Sequence, residues 1–347
     1  MIYEYQKKFY RRWATVNLSL LIAVIAGAFL ALSIGPSRTS LIDVLGVFLG
    51  ERTTTPEWVS NVILRIRLPR IILAIVAGAS LSVSGVVFQA VLGNPLADPY
   101  ILGVSSGAVA GAALVTVFGI GKGTFGQLVI PTVSFVGSLL AMILVYIVAR
   151  IGGRVRSQTL LLAGVIVNFF LGAVIMLLMS ISNRELHEIV YLLMGNLGYV
   201  FSERTIWMLW IAGGLTLLGA ILLLWRSREL NALSLGEESA TQLGIDIQRF
   251  RLFLLFIVSL MIGAAVSLCG LIGFVGLIVP HATRMLSGPD HRTLIPAAAL
   301  SGAVFLILAD TLARTVAPIE IPVGVVTAIV GGPFFIYLLR TRRPGYI

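Results

Sequence analysis

Nine long stretches of this chain contain no Asp, Glu, Lys or Arg: residues 13–37, 71–97, 99–121, 123–149, 157–183, 205–225, 252–283, 293–309 and 321–339. A helix needs about 20 apolar residues to cross the hydrocarbon core of a bilayer. The seventh stretch is 32 residues long and contains Gly270, Gly273 and Gly276. It reads as two helices joined by a tight turn, the second running past Arg284. The expectation is an all-α polytopic membrane protein of ten transmembrane helices, forming a single domain over residues 1–347.

Charge supports an even number of spans. Lys7, Lys8, Arg11 and Arg12 precede the first helix and Arg340, Arg342 and Arg343 follow the last. Both tails read as cytoplasmic, which places the chain in the inner membrane with both termini inside. Sixteen of the 25 basic residues then fall inside. Nine fall outside: Arg38, Arg52, Arg65, Arg67, Arg70, Lys122, Arg184, Arg204 and Arg314. The first stretch is too long for a secretory apolar region and no small-residue cleavage site follows it, so it reads as a retained helix.

Composition excludes other classes. Only 12% of residues are charged, about half the share in a soluble domain. The net charge of +10 does not suggest nucleic acid, because the basic residues lie between apolar runs rather than on a polar face. One cysteine, Cys269, excludes an internal disulfide framework and a multi-cysteine metal site.

Two inter-helix segments are long. Residues 38–70, expected outside, hold a short apolar helix candidate at Leu41–Leu49. Residues 226–251, expected inside, hold a helix-forming run at 237–243 between Gly236 and Gly244. Gly78-Ala79-x-x-Ser82-x-x-Gly85 is echoed by Gly263-Ala264-x-x-Ser267-x-x-Gly270. The copies lie in helices 2 and 7, five places apart, so they point in opposite directions, as in the inverted repeats of transporters. Chance would also give such a match in a chain rich in Gly, Ala and Ser. Gly103, Gly107 and Gly111 share one helix face and suit either close packing, a pathway or a dimer contact.

Catalytic signatures are missing. The string Gly119-Ile120-Gly121-Lys122-Gly123-Thr124 lacks the spacing of a phosphate-binding loop, and ten spans leave no room for a nucleotide-binding domain. By topology His187 and His291 lie on opposite sides, so they cannot share a metal, and His281 beside Pro280 reads as a packing residue. Asp310 has Arg314 one turn away and is neutralised by it. A coupling ion would call for intramembrane acids, so a stand-alone secondary carrier is the weaker reading. An intramembrane enzyme has no residue constellation behind it. A transport path without its own energy source points to a partner that supplies it.

Several strings carry a resemblance: Arg65-Ile66-Arg67-Leu68-Pro69-Arg70, Gly93-Asn94-Pro95-Leu96-Ala97-Asp98-Pro99, Gly270-Leu271-Ile272-Gly273-Phe274-Val275-Gly276-Leu277-Ile278-Val279-Pro280-His281 and Pro322-Val323-Gly324-Val325. In this order, from about residue 60 onward, the chain resembles the FecCD-type permeases, the membrane subunits of type II ABC importers for iron-siderophores, haem and vitamin B12. The resemblance implies an inverted repeat of helices 2–5 and 7–10 and a homodimer with the path between its copies. Two ATPase subunits, which bind ATP and Mg, would sit below, and a substrate-binding protein would dock outside. It implies no cofactor, metal or catalytic residue in this chain.

Roles follow by position. Gly236, Glu237, Glu238, Ala240, Leu243 and Gly244 resemble the coupling helix that enters the ATPase, although a solvated amphipathic loop has the same pattern. Arg67, Arg70 and Arg314 match positions that receive acidic residues of the binding protein; the first two also suit headgroup anchoring. Asn94 and Leu96 on one side, Ser157 and Gln158 on the other, resemble an inner gate, while Ser157 is also a good helix cap and Asn94-Pro95 a turn. An iron chelate is the expected cargo, with haem and cobalamin as alternatives.

Overall fold

In the computed structural model, residues 2–35, 37, 39–50, 56–120, 126–182 and 186–341 are described, those at 2–12, 126–127, 338–339 and 341 by backbone alone. Arg38, Arg52, Lys122, Arg184, Arg342 and Arg343, which entered the charge argument, lie outside the described residues, as do the side chains of Lys7, Lys8, Arg11 and Arg12.

The chain opens with α1 (Ile2–Ser33) and the short α2 (Leu41–Leu49). Ser40 and Asp43 close a reciprocal capping box at the start of α2, and Gly50 ends it in the left-handed region at φ 77°, where the absence of Cβ removes the steric cost. Next, α3 (Glu57–Asn61) runs through a π-helical stretch, Val62–Arg67, directly into α4 (Leu68–Val91). The segment 38–70, expected outside, is therefore partly a helical extension of the second span. Arg65, Arg67 and Arg70 interrupt the uncharged run without interrupting the helix.

After a 3-10 turn at Pro99–Leu102 come α5 (Val104–Val117) and α6 (Gly126–Ala149). A two-residue hairpin, β1 (Arg150–Ile151) and β2 (Arg154–Val155), pairs Arg150 with Val155. The remaining helices are α7 (Ser157–Ile181), α8 (Leu186–Met194), α9 (Ile206–Trp225), α10 (Ser227–Ser234), α11 (Glu237–Gln242), α12 (Ile247–Cys269), α13 (Val275–Ser287), α14 (His291–Thr315) and α15 (Val323–Thr341).

Among the described residues seven helices are long and apolar enough to cross a membrane, and Val104–Val117 and Val323–Tyr337 are shorter apolar helices. Helices α5, α13 and α15 stand at the places of the expected third, eighth and tenth spans but are not among these seven. Each begins late, after irregular backbone at residues 92–103, 270–274 and 316–322. Such backbone is tolerated at membrane depth only where protein or a wet cavity covers it. The first of these segments is covered: Asn168, well inside α7, donates Nδ2 to the carbonyls of Tyr100 (2.8 Å) and Ile101 (2.9 Å).

Helices α4, α12 and α14 form the buried centre, with α4 83% and α12 72% buried over their apolar windows. Gly78 of α4 lies against the backbone of Gly302 in α14, and Gly85 against Gly276 in α13. Gly107 and Gly111 press α5 onto Gly137 and Val133 of α6, so these two serve helix packing. Gly103 instead supplies the left-handed residue, φ 76°, at the start of α5.

Asn196 N–H donates to Cys269 O at the end of α12, and Gly198 lies beside the Arg70 guanidinium near the start of α4. Helices α4 and α12 are thus antiparallel. Helix α4 packs on α13 and α14, and α12 packs on α5 and α6. This exchanged pairing is the two-fold pattern of an inverted repeat.

Candidate functional site: a short helix and its buried anchor

The segment between α9 and α12 turns twice at glycine. Gly236 has φ 114° and Gly244 φ 82°, conformations that L side chains rarely adopt. Between them stands α11, and Asp246 then caps α12 by accepting from Arg249 N–H at 3.1 Å. Ala240 is fully buried, while Glu238 is exposed and Leu235 and Leu243 are 75% and 68% exposed. The loop thus presents an acid and two leucines outward at an end of the molecule rich in charge.

Glu237 turns the other way. Its Oε1 lies 2.6 Å from Nη2 of Arg251, the largest of the fully buried side chains at 1% exposure. Nη2 also donates to Ser157 Oγ (3.1 Å), and Nη1 donates to Val155 O. Ser157 has one hydroxyl proton, and its shorter acceptor is Val91 O at 2.8 Å. Gln248 adds a second clamp on β2, accepting from Val155 N–H at 2.8 Å and donating to Val155 O at 3.2 Å. One planar guanidinium therefore ties α11 to α12, to the hairpin and to the start of α7, and Ser157 carries the tie on to the end of α4. A forked cation can hold several acceptors in fixed directions, which a lysine cannot.

The sequence reading missed Arg251 as a site residue. It counted only as a cytoplasmic charge. The available signal was its place, the last charge before a 32-residue uncharged stretch.

Of the four gate candidates, Ser157 belongs to this network. Asn94 folds back on its own turn, accepting from Leu96 N–H at 2.9 Å. Leu96 lines a small cavity with Pro95, Leu277, Ile278, His281 and Phe334, between α13 and α15. Gln158 is exposed.

At the opposite end lie the three docking candidates, two of them around the buried Asp310. Arg70 reaches Asp310 Oδ1 (2.9 Å) and Glu320 Oε1 (2.9 Å), and Arg314 reaches Asp310 Oδ2 (3.0 Å). Arg314 also points at Ala31 O and Ile34 O (3.4 Å each). Arg67 donates to Leu32 O (2.5 Å) and Ser37 O (2.8 Å). Carbonyls at the end of α1 lack helical partners, and these arginines supply them. Arg67, Arg70 and Arg314 are only 3%, 8% and 5% exposed, so their guanidinium groups are engaged within this chain. Their acceptors come from α1, α14 and the loop before α15, which sequence distance conceals. Among the described basic residues expected at this end, Arg65 and Arg204 are exposed.

His291 Nδ1 lies 2.7 Å from Asn231 Oδ1, and the His187 and Tyr191 rings meet at a tilt, their centroids 4.8 Å apart. Among the described residues no three His, Cys, Asp or Glu side chains converge on a point that would hold a metal.

The comparisons with known proteins agree with this architecture. The model of the FecCD transport family matches residues 21–341. The cobalamin import system permease protein BtuC of Halobacterium salinarum is 46% identical over 293 residues, covering 83% of this chain and 76% of that protein. The hemin transport system permease protein HmuU of Yersinia pestis is 42% identical over 294 residues, covering 84% and 86%. A solved chain described as "An inward-facing conformation of a putative metal-chelate type ABC transporter" superposes with a TM-score of 0.80 at 31% identity, covering 95% of this chain and all of that one. With a family match along nearly its whole length and relatives this similar, the chain belongs to the FecCD transport family.

Proposed function

We propose that this chain is the permease subunit of a binding-protein-dependent ABC importer and that its cargo is an iron chelate. Two copies form the path in the inner membrane, with both termini in the cytoplasm. Separate ATPase subunits hold ATP and Mg and receive α11; an extracytoplasmic binding protein delivers the cargo to the Arg70 end.

The observation that carries this reading is the Glu237–Arg251–Ser157 connection. A partner that closes on the exposed side of α11 displaces a helix whose inner side is fastened to α12, α7 and, through Ser157, α4. Force applied at one short helix is therefore delivered to the ends of three membrane helices, one of which, α4, leads into the Asn94–Leu96 turn. Rigid elements with two arrangements are the physical basis of such coupling. Two homologues are named for cobalamin and hemin and a solved neighbour for metal chelates, which supports a bulky metal-bearing cargo.

The test is uptake into proteoliposomes holding this chain with its ATPase and binding protein, with ferric siderophore, haem and cobalamin offered in parallel. ATP-dependent entry of the siderophore is expected. Entry of haem or cobalamin alone replaces the cargo and keeps the importer. Gradient-driven entry without the ATPase overturns the reading in favour of a secondary carrier.

A further inference from the structure

Helix α9 faces outward over most of its surface; only 33% of its apolar window is buried. Leu217, Ile221, Leu224 and Trp225 are 63%, 54%, 38% and 73% exposed. Their spacing places them on one helix face. Where this apolar stripe ends, the chain turns into α10, and an open basin of about 750 Å³ lies there, lined by Leu224, Trp225, Arg226, Ser227, Arg228, Glu229 and Arg292. Three guanidinium groups therefore share the basin with one carboxylate.

The acids near it are largely engaged. Glu229 Oε1 pairs with Arg226 Nη1 at 2.9 Å. Asp290 lies 4.0 Å from Arg292 Nε, and the same Asp290 oxygen already accepts from Asn231 Nδ2 (2.8 Å) and Arg292 N–H (2.9 Å). Arg226 is held over the Trp225 ring, 5.0 Å from its centroid, yet its buried Nε has no hydrogen-bond partner. Arg228 and Arg292 are exposed. The basin thus has cationic donors to spare at the point where an apolar membrane-facing surface stops. Arginine donors with a tryptophan at that depth match a phosphate attached to acyl chains.

We propose that this basin binds the phosphate headgroup of an anionic phospholipid whose acyl chains lie along the Leu217–Ile221–Trp225 stripe. The proposal is independent of the cargo and of the route by which α11 is coupled.

The experiment is native mass spectrometry of the full chain in detergent, titrated with phosphatidylglycerol or with phosphatidylcholine of the same chain length. R228Q/R292Q is compared with wild type, and R65Q, an exposed arginine elsewhere, serves as the control. Thermal unfolding checks that all three are folded. Wild type and R65Q should prefer phosphatidylglycerol, and the double variant should lose on the order of tenfold or more of that affinity. Equal binding of the two lipids, or an unchanged preference in the double variant, overturns the proposal. Displacement of the lipid by glycerol phosphate at equal concentration reassigns the basin to a free anion. If the double variant keeps its lipid preference but no longer co-purifies with the ATPase, the basin is a protein contact and the lipid proposal fails.

Discussion

Asp310 is 1% exposed and lies between two arginines that are themselves buried. Removing one member of a buried charge network leaves the others uncompensated, at about 3–5 kcal/mol. Asp310→Asn should therefore lower the midpoint of thermal unfolding steeply. Glu320→Gln should cost less than about 1 kcal/mol, because Glu320 is half exposed and its pairing is screened. Equal midpoints for the two variants would show that the cluster is not the clamp described here. At the other end, Arg251→Lys keeps the charge but loses the fork that holds Val155, Ser157 and Glu237 together. The variant should still assemble with the ATPase, yet ATP-driven uptake should fall several-fold while ATP hydrolysis continues. Uptake per ATP unchanged from wild type would remove Arg251 from the coupling route. Neither arginine's role could be read along the chain: Arg70 and Glu320 are 250 positions apart, and Arg251 and Ser157 94.

Among elements, two short helices were well marked in the sequence. Leu41–Leu49 has its cap at Ser40 and its stop at Gly50, and α11 sits between two glycines as its composition requires. The late starts of α5, α13 and α15 were not marked, because an uncharged stretch looks the same whether its backbone is helical or re-entrant. Glycine gives the clearest test at this scale. A Cβ at Gly85 would fall inside the carbonyl of Gly276, so Gly85→Val must separate α4 from α13, at about 1–3 kcal/mol or more. Gly172 in α7 has nothing within 4 Å of an added Cβ, so Gly172→Val should leave thermal unfolding nearly unchanged. Parity between the two variants would argue against the packing of α4 on α13.

For the whole molecule, the question is which surface meets the energy source. Leu243 is 68% exposed and holds nothing inside the fold, so Leu243→Asp should leave insertion and thermal stability as they are. On the proposed function it should abolish co-purification with the ATPase, since an apolar contact becomes a buried charge. Retained co-purification would move the docking surface elsewhere on the loop. The inverted repeat belongs to this scale as well. The paired Gly-Ala-x-x-Ser strings suggested it, but the exchanged packing of α4 on α13 and α14, and of α12 on α5 and α6, gives it substance.

The one-dimensional record was enough to establish a helical membrane protein, its family strings and the short helix between Gly236 and Gly244. These depend on local quantities: hydrophobic run length, the conformational freedom of glycine and the absence of nucleotide-binding motifs. Only the tertiary structure decided that Arg67, Arg70 and Arg314 are buried and bonded within the chain, and that Arg251 fastens α11 to the membrane helices. The physical reason is that a buried charge is tolerated only with partners, and in both places those partners are carbonyls, hydroxyls and carboxylates brought together from distant parts of the chain.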